Sequence, residues 1–462
     1  MTYVPATASG HTALPRRVLS GYALGSLVTG AFGTVPGLLL APYLTDTLGV
    51  AAGVAGVLVW APKAWDVLVN PVAGRISDRT RGPWGARRPY LLVGGLVLAV
   101  LFAAMFAAPA GSSGAGAAAY VALAFFAAAT AFAFFQVPYV AMPAELTDSY
   151  TERTRLMTWR IAVLAIAILV SGAVAPIVVN AAGEGIPGHR AMGLFVAGLI
   201  VVGTIGVFLG TAGTPTGTTA ESEPSFRAQL AVAGRNRPFR RLLACFVIQA
   251  AGIAMILGGV KYFADHVLRE PDTGPTVLFA CFVGPALLVM PLWSRVGARI
   301  GKARAYVAAS LLFAAGALGL VASPVLPGVV IYLLVAVMGV AYAGQQVFGL
   351  AMLPDCIAYD TARTGRRQAG VFTGLWTAGE TFGLALGPGL YLLVLQVFGY
   401  VSSSSGTAAA QDDTARLGVL LGFSLLPALI VGFAVLLMRG YDLTEERLAA
   451  VTAAPVAAGD AG

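Results

Sequence analysis

The chain alternates long apolar runs with short polar segments along most of its 462 residues. Runs long enough to cross a ~30 Å hydrocarbon layer recur about twelve times. We place them near 18–43, 51–77, 89–109, 117–142, 157–182, 191–212, 239–265, 275–295, 304–323, 328–352, 368–394 and 415–439. A backbone in lipid must satisfy its own hydrogen bonds, and the alternating pattern of a membrane barrel is absent. The pattern therefore predicts an all-α membrane protein with twelve transmembrane helices.

One long polar stretch separates six of these runs from the other six, which predicts two six-helix bundles. We expect a cytoplasmic tail at 1–17, an N-terminal bundle at 18–212, a cytoplasmic linker at 213–238, a C-terminal bundle at 239–439 and a cytoplasmic tail at 440–462. Residues 1–17 and 448–462 have the composition of disordered tails, and no cleavable signal precedes the first run. Residues 226–230 are expected either to form a short surface helix or to belong to a plain linker.

Cationic side chains gather after every second run. Arginines and lysines follow the second, fourth, sixth, eighth and tenth runs, whereas the other loops hold few. The positive-inside rule then places both termini in the cytoplasm, in a multi-pass protein of the cell inner membrane. The net charge of +8 follows from this loop bias and does not indicate nucleic-acid binding. The three histidines lie outside the predicted spans.

Two short patterns recur once in each half of the chain. Gln136–Pro143 closes the fourth run, and the similar Gln346–Pro354 closes the tenth, 210 residues later. Pro71–Arg75 ends the second run, and Pro291–Arg295 ends the eighth, 220 residues later. Parallel repeats of this kind place a substrate site near the midplane, between the two halves.

Charged residues inside the runs are few, and such groups are costly in a membrane and usually functional. They are Lys63, Asp66, Arg160, Lys261 and Glu380. Lys63 and Asp66 are three residues apart on one helix, so their side chains can meet. A self-neutralised pair that lets the helix insert is the structural alternative. Asp66 and Glu380 both lie ~18–20 Å from a charged loop at 1.5 Å per residue, which is near mid-membrane. Lys261 is expected to pair with Asp265 near the outer end of its helix.

The segment 63–90 resembles the loop between the second and third helices of the major facilitator superfamily. Its Trp65-Asp66, Asn70-Pro71 and closing Gly-Ala-Arg-Arg-Pro-Tyr are similar to the branch of glycoside–pentoside–hexuronide:cation symporters, the melibiose permease-like family. Segments 135–160 and 353–388 extend the resemblance over nearly the whole chain. It implies the major facilitator fold and cation-coupled symport of a small polar solute, such as a sugar or glycoside, by alternating access.

The resemblance and the residue types together nominate three groups of side chains. The cation-coupling group is Asp66, Glu380, Lys63, Asn70 and Thr377. The substrate-binding group is Gln136, Tyr139, Arg160, Gln346, Tyr342 and Trp376. The cytoplasmic gate, in which the residues would pair with helix ends of either bundle, is Asp78, Arg79, Arg81, Arg87, Arg88 and Asp355. A solvated positive-inside loop is the alternative to the gate.

The chain departs from the resembled family at its cation site. The family's second acid on the second helix is Asn70 here, and the fourth-helix aspartate that grips the sugar corresponds to Gln136. A sodium ion requires several oxygen ligands, whereas a proton requires one titratable group. We therefore expect protons rather than sodium to drive transport, with Glu380 as carrier and the Asp66–Lys63 pair as its electrostatic partner. Permanent pairing that only holds the halves together is the alternative.

Other functions are weighed against this one. Proton-driven efflux of an amphipathic compound, or transport of a lysophospholipid-like solute, would use the same architecture. An enzyme is not expected, because the runs contain no nucleophile–base pair and no metal cluster. The three cysteines have no ligand spacing, so they are read as buried hydrophobic residues. We expect no cofactor, no partner beyond the solute and the lipid bilayer, and a monomer.

Overall fold

The protein is helical throughout the part described by the structure, a computed structural model that covers residues 14–109, 111–147, 150–214, 234–364, 369–403 and 409–453. The N-terminal half (14–214) contains α1 (Arg16–Leu40), α2 (Ala52–Arg79), α3 (Arg88–Met105), α4 (Gly114–Leu146), α5 (Tyr150–Ala181) and α6 (Gly185–Gly210). The C-terminal half (234–453) contains α7 (Arg237–Phe263), α8 (Gly274–Ile300), α9 (Lys302–Gly319), α10 (Gly328–Thr364), α11 (Ala369–Val397), α12 (Asp413–Met438) and α13 (Glu445–Ala453).

Eleven helices of the described chain are long and apolar enough to cross a membrane. They are α1 and α3 to α12. The second of the twelve expected spans corresponds to α2, which is 28 residues long, carries Lys63 and Asp66, and is not among the eleven. The sequence pattern thus located the helices well, and their ends differ mainly where polar residues continue a helix beyond the apolar run. For example, α10 extends to Thr364 rather than ending near residue 352.

Special backbone conformations repeat in the two halves. The first helix of each half is followed by a wide π-helical turn, Tyr43–Thr47 after α1 and Ala264–Leu268 after α7. A left-handed residue comes next in both, Gly49 with φ 64° and Arg269 with φ 60°. The members of each pair are about 220 residues apart, like the repeated sequence patterns. The repeat predicted from a few side chains is therefore also present in the backbone.

The halves meet along two lines of contact, where α2 packs on α11 and α5 packs on α8. Small residues allow this close approach. A Cβ atom added to Gly56 of α2 would lie 3.2 Å from the carbonyl oxygen of Gly389 on α11. A Cβ atom on Gly172 of α5 would collide with the ring of Phe279 on α8.

Four predictions about the ends and loops are corrected or left open. Residues 448–453 are not a disordered tail, because they belong to α13, whose Leu448 and Val451 cover apolar side chains of the C-terminal half. The first helix begins at Arg16, inside the expected tail of 1–17. His189 and His266 lie within candidate spans, since α6 and the turn after α7 extend further than the apolar pattern indicated. Residues 226–230 lie outside the described residues.

A glycine substitution in α11 tests the packing of this helix on α7. A Cβ atom at Gly387 would lie 2.5 Å from the backbone carbon of Ala254 and the backbone nitrogen of Met255, which cannot move without shifting α7. Gly387→Ala should therefore lower thermal stability in detergent, by about 1–3 kcal/mol as for other overpacked sites. Gly374→Ala on the same helix meets nothing within 4 Å and should leave the melting temperature unchanged or raised. Equal melting temperatures for both variants would contradict this packing.

Candidate functional site

A cleft in the C-terminal half brings three of the nominated residues together. Tyr342 and Gln346 of α10 and Glu380 of α11 line it, and the Nε2 atom of Gln346 donates a long hydrogen bond of 3.4 Å to Oε1 of Glu380. The remaining lining comes from α7 and α11: Phe246, Gln249, Ala250, Ile253 and Leu384. The cleft measures only about 10 Å³, far below the volume of small-molecule sites, so a solute could enter only after this region opens.

Lys63 and Asp66 occupy the other half of the molecule. The Nζ atom of Lys63 lies 5.0 Å from the ring centroid of Phe32 and 6.0 Å from that of Phe132, within the range of cation–π attraction. Asp66 is 5% exposed, and its buried Oδ1 atom has no hydrogen-bond partner. Among the described residues, Lys63, Asp66 and Glu380 form no ion pair within 4 Å. The expected link between the three is therefore not made in this arrangement.

Asn70 and Thr377 complete the nominated coupling group. Both side chains are exposed in the structure, Asn70 on α2 and Thr377 on α11. Neither has a described contact with Asp66 or Glu380. The structure thus divides the coupling group between helices that pack on each other and does not gather it into one ligand shell.

The substrate-binding candidates of the N-terminal half differ in how accessible they are. Gln136 is half-buried, and its Oε1 atom accepts a 2.7 Å hydrogen bond from Thr29 of α1. Tyr139 is fully buried, its hydroxyl lies 2.9 Å from that of Ser26, and the Arg160 guanidinium lies 5.3 Å above its ring. Gln136 therefore remains partly accessible, whereas Tyr139 serves in the packing of α1, α4 and α5 in this arrangement.

Trp376 likewise belongs to the packing of the C-terminal half. Its ring stacks on Phe246 with centroids 4.2 Å apart, and it is almost fully buried. The predicted stacking of a sugar on this ring would require Phe246, which also lines the cleft, to move. Phe246, and not Trp376, therefore presents an aromatic ring to the cleft.

Several buried polar atoms in the described part of the chain have no hydrogen-bond partner. Both amide atoms of Gln345 are in this state, as are Oε1 of Gln249 and the indole nitrogens of Trp60 and Trp376. More than about 90% of buried polar groups in proteins are paired, so each exception suggests a water, an ion or a ligand. Carboxamides and indole N–H groups offer the donors and acceptors that a polyhydroxyl solute requires. Gln345, Gln249 and Trp60 are not among the residues nominated from the sequence for substrate binding.

The arginine-rich loops lie at one end of the helices, which we call the arginine face. Arg87 is buried, and its Nε and Nη1 atoms donate to Glu145 and Ser77, both at 2.8 Å. The Nη2 atom of Arg88 donates to the backbone oxygen of Phe208 at 2.8 Å. The turn between α2 and α3 is thereby tied to the ends of α4 and α6.

The other gate candidates divide into paired and exposed residues. Asp355 accepts a 2.7 Å ion pair from Lys302, which corresponds in the C-terminal half to the pair of Arg87 and Glu145. Arg79 and Arg81 are exposed. The side chain of Asp78 lies outside the described residues. The described contacts of these residues all lie within one half, so they stabilise the arginine face of each half separately.

The opposite face is closed by a group of side chains that sequence reasoning did not nominate, here called the Asp46 cluster: Thr45, Asp46, Tyr262, His266 and Tyr400. The hydroxyls of Thr45 and Tyr262 lie 2.7 Å apart, and the Tyr400 hydroxyl donates to Oδ1 of Asp46 at 2.9 Å. The Nε2 atom of His266 lies 3.1 Å from the same hydroxyl. Each of the first two bonds joins one half of the chain to the other.

Further hydrogen bonds between the halves gather at this same face. The Gly53 nitrogen donates to Oε1 of Gln396 at 2.9 Å, and the Ser403 nitrogen donates to the Thr45 oxygen at 2.8 Å. Nδ2 of Asn180 donates to the Asp272 oxygen at 2.8 Å. The face opposite the arginines is therefore shut. Asp46, an acid directly after an apolar run and without a cation within four residues, was the signal in the sequence that could have found this cluster.

Burial raises the pKa of Asp46 from 3.8 to about 7, against the lowering effect of its hydrogen bond from Tyr400. Asp265 raises this pKa further, and Lys261, which pairs with Asp265 at 2.8 Å as expected, lowers it. Asp46 is only 6% exposed. When this face opens, water would reach the carboxyl group and its pKa would return toward the ordinary value.

Comparisons with known proteins agree with this architecture. The family described as MFS/sugar transport protein matches residues 21–445. The symporter YnaJ of Bacillus subtilis (strain 168) is 27% identical over 440 residues, covering 92% of each chain. The isoprimeverose transporter of Lactiplantibacillus pentosus is 24% identical over 422 residues, covering 88% of this chain and 85% of its own. A bacterial homologue of the human lysosomal transporter Spinster, solved in an inward-facing and occupied conformation, has the same fold, with TM-score 0.67, 12% identity and 95% and 98% coverage.

The Asp46 cluster should make closure of this face depend on pH. Because the pKa of Asp46 is raised in the closed state, the contribution of Asp46 to closure is most favourable at low pH, weakens as the pH rises from about 4 to about 7, and changes no further above that. The reactivity of a single cysteine placed at Thr45 toward a polar thiol reagent, corrected for thiol ionisation, should therefore contain a component that rises over this range.

Asp46→Asn in the same cysteine background provides the control, because an amide cannot titrate. Its corrected labelling should lack the component contributed by Asp46, so the two profiles should diverge between about pH 4 and pH 7. The same pH dependence in both backgrounds would show that Asp46 does not sense pH.

Proposed function

Because the chain belongs to the MFS/sugar transport protein family, we propose that it is a proton-coupled symporter of a small polar solute, a sugar or glycoside. The observation that carries this proposal is the cleft of Tyr342, Gln346 and Glu380, which combines a carboxyl group with amides in an otherwise apolar setting. Relatives named as a symporter and as an isoprimeverose transporter support the class of solute.

The topology follows from the same family. We propose that α2 also crosses the membrane, which brings the number of spans to twelve. Its 28 residues would extend ~42 Å at 1.5 Å per residue, and it packs between α4 and α11. The helices then form two six-helix bundles, and the arginine face lies in the cytoplasm with both termini. The closed opposite face corresponds to an inward-facing state. Bacterial relatives support a place in the inner membrane, and we propose that the protein acts as a monomer.

The coupling ion is assigned from the number of ligands available. The buried Oδ1 atom of Asp66 has no hydrogen-bond partner in the described chain, Lys63 lies against Phe32 and Phe132, and Asn70 is exposed, so few oxygen ligands are available near Asp66. A sodium ion would lack ligands there. Glu380 is bonded to the amide of Gln346, which tolerates both the protonated and the ionised carboxyl. Binding of a sugar at Gln346 would alter that bond, so the proton and the solute would be coupled through one side chain.

The proton assignment is tested in proteoliposomes under imposed ion gradients. Wild-type protein should accumulate a labelled glycoside when a pH gradient is applied, and Glu380→Gln should allow exchange but no accumulation, because an amide cannot carry the proton. Glu270→Gln is the matched control, since Glu270 follows the turn after α7 at the closed face, where it accepts a hydrogen bond from the Tyr332 hydroxyl. Accumulation by Glu380→Gln, or driving of the wild type by sodium alone, would refute proton coupling through Glu380.

The solute assignment is tested at Gln345, whose buried amide has no partner in the described structure. If a sugar hydroxyl satisfies this amide, Gln345→Leu should raise KM for transport by at least about tenfold, since sites built for a hydroxyl lose affinity without their polar partner. The same variant should raise the melting temperature of the protein without solute, because it removes an unpaired polar group.

Gln249→Leu is the comparison for the melting temperature only, because Gln249 also lines the cleft but its Nε2 atom already bonds to Ser310 at 2.8 Å. This variant should lower the melting temperature. The efflux function is the correct one if Gln345→Leu leaves transport of every glycoside unchanged and the protein exports an amphipathic cation against a gradient. Uptake of a lysophospholipid would instead identify the lipid function.

A further inference from the structure

Five arginines converge on one cavity at the arginine face of the C-terminal half. Arg235, Arg237 and Arg241 come from the start of α7, Arg363 from the end of α10 and Arg447 from α13. The cavity measures about 530 Å³, which is within the range of small-molecule sites. It lies on a different part of the C-terminal half from the cleft at Glu380 and shares none of its lining residues.

The charges around this cavity do not balance. The lining includes a single carboxylate, Asp442, and that group is already in an ion pair with Arg447 of α13. The other four guanidinium groups have no ion pair among the described residues. Like charges held close together cost free energy unless an anion is bound between them. Arginine forks match the oxygen geometry of phosphate groups, which makes a phosphoryl group the best-fitting anion.

The surrounding contacts hold the cavity in shape. Asn236 caps α7 by accepting from the Phe239 nitrogen, and its amide donates to the Cys356 oxygen of α10 at 2.9 Å. The Arg363 guanidinium lies 5.5 Å from the ring centroid of the buried Tyr359, which also lines the cavity. The guanidinium of Arg241 rests on the backbone at Gly440, where any Cβ atom would collide with it. The arginines are therefore positioned by three separate segments.

A general excess of cations in cytoplasmic loops does not account for this convergence. Arg240 belongs to the same helix end as Arg241, yet its Nη1 atom bonds to the Gly234 oxygen at 3.2 Å and it does not line the cavity. Arg87 and Arg88, in the other half, are bound to Glu145 and to Phe208. The positive-inside rule requires only that cations lie in these loops, and arginines that point into water would satisfy it equally well.

We propose that this cavity binds an anion with two or more phosphoryl charges. Its source is either a soluble compound, such as a nucleotide, or the phosphorylated headgroup of a lipid. Because the site includes Arg447 and Asp442, binding would fasten α13 to the ends of α7 and α10. The proposal does not depend on the identity of the transported solute.

The test measures binding of pyrophosphate to the purified full-length protein by calorimetry, and of phosphatidylinositol phosphate to the protein in nanodiscs. The double variant Arg241→Gln/Arg363→Gln should weaken binding by at least tenfold, and Arg240→Gln should change it by less than twofold. Binding should weaken steeply between 50 and 500 mM salt, because the screening length falls from about 14 Å to about 4 Å over this range. Hydrogen exchange within residues 445–453 should slow when the anion is bound.

Binding of pyrophosphate with this pattern supports the site and a soluble source, whereas binding of the phospholipid alone with the same pattern supports the site and a lipid source. Arg241→Lys/Arg363→Lys, which keeps the charge, guards against a folding defect and should retain part of the affinity. Absence of binding by both probes, or equal weakening by Arg240→Gln, would overturn the proposal.

Discussion

A polar group inside a hydrocarbon layer must find a partner, and this constraint governs the structure from its helices to its cleft. It obliges the backbone to form helices, and it makes each intramembrane charge costly. The protein answers in several ways. Lys63 lies against two stacked aromatic rings, Lys261 pairs with Asp265, and Gln249 bonds to Ser310. The atoms that remain unpaired, at Asp66 and Gln345 above all, are therefore the places where a solute, an ion or water has most to gain.

The helices could be predicted from the sequence because their signal is composition over about twenty residues. The depth of Asp66 and Glu380 near mid-membrane stays a prediction, which follows because the helical rise converts spacing into depth. What could not be predicted was the direction of each side chain. Lys63 was expected beside an acid, yet the neighbouring helices offer it two phenylalanine rings instead. Tyr139 and Trp376 were expected in the site, but tertiary packing buries both.

The Asp46 cluster shows a second limit of sequence reasoning. Its members come from the ends of α1, α7 and α11, and no pattern along the chain connects them. Their proximity is a product of the closed arrangement, so it would vanish when the face opens. By contrast, the repeat between the halves could be predicted because short sequence patterns recur in both halves. The backbone turns at Gly49 and Arg269 recur at a similar spacing.

The two corresponding ion pairs at the arginine face are unequal in kind. In the N-terminal half, Arg87 and Glu145 are 8% and 15% exposed, whereas Lys302 and Asp355 are 48% and 24% exposed in the C-terminal half. Exposed pairs are screened by dissolved ions far more than sheltered ones. The rim of the first half should thus keep its strength in concentrated electrolyte while the rim of the second half softens. Two related halves of one molecule thus differ in how they respond to ionic strength, and the ions dissolved beside the arginine face set the size of that difference.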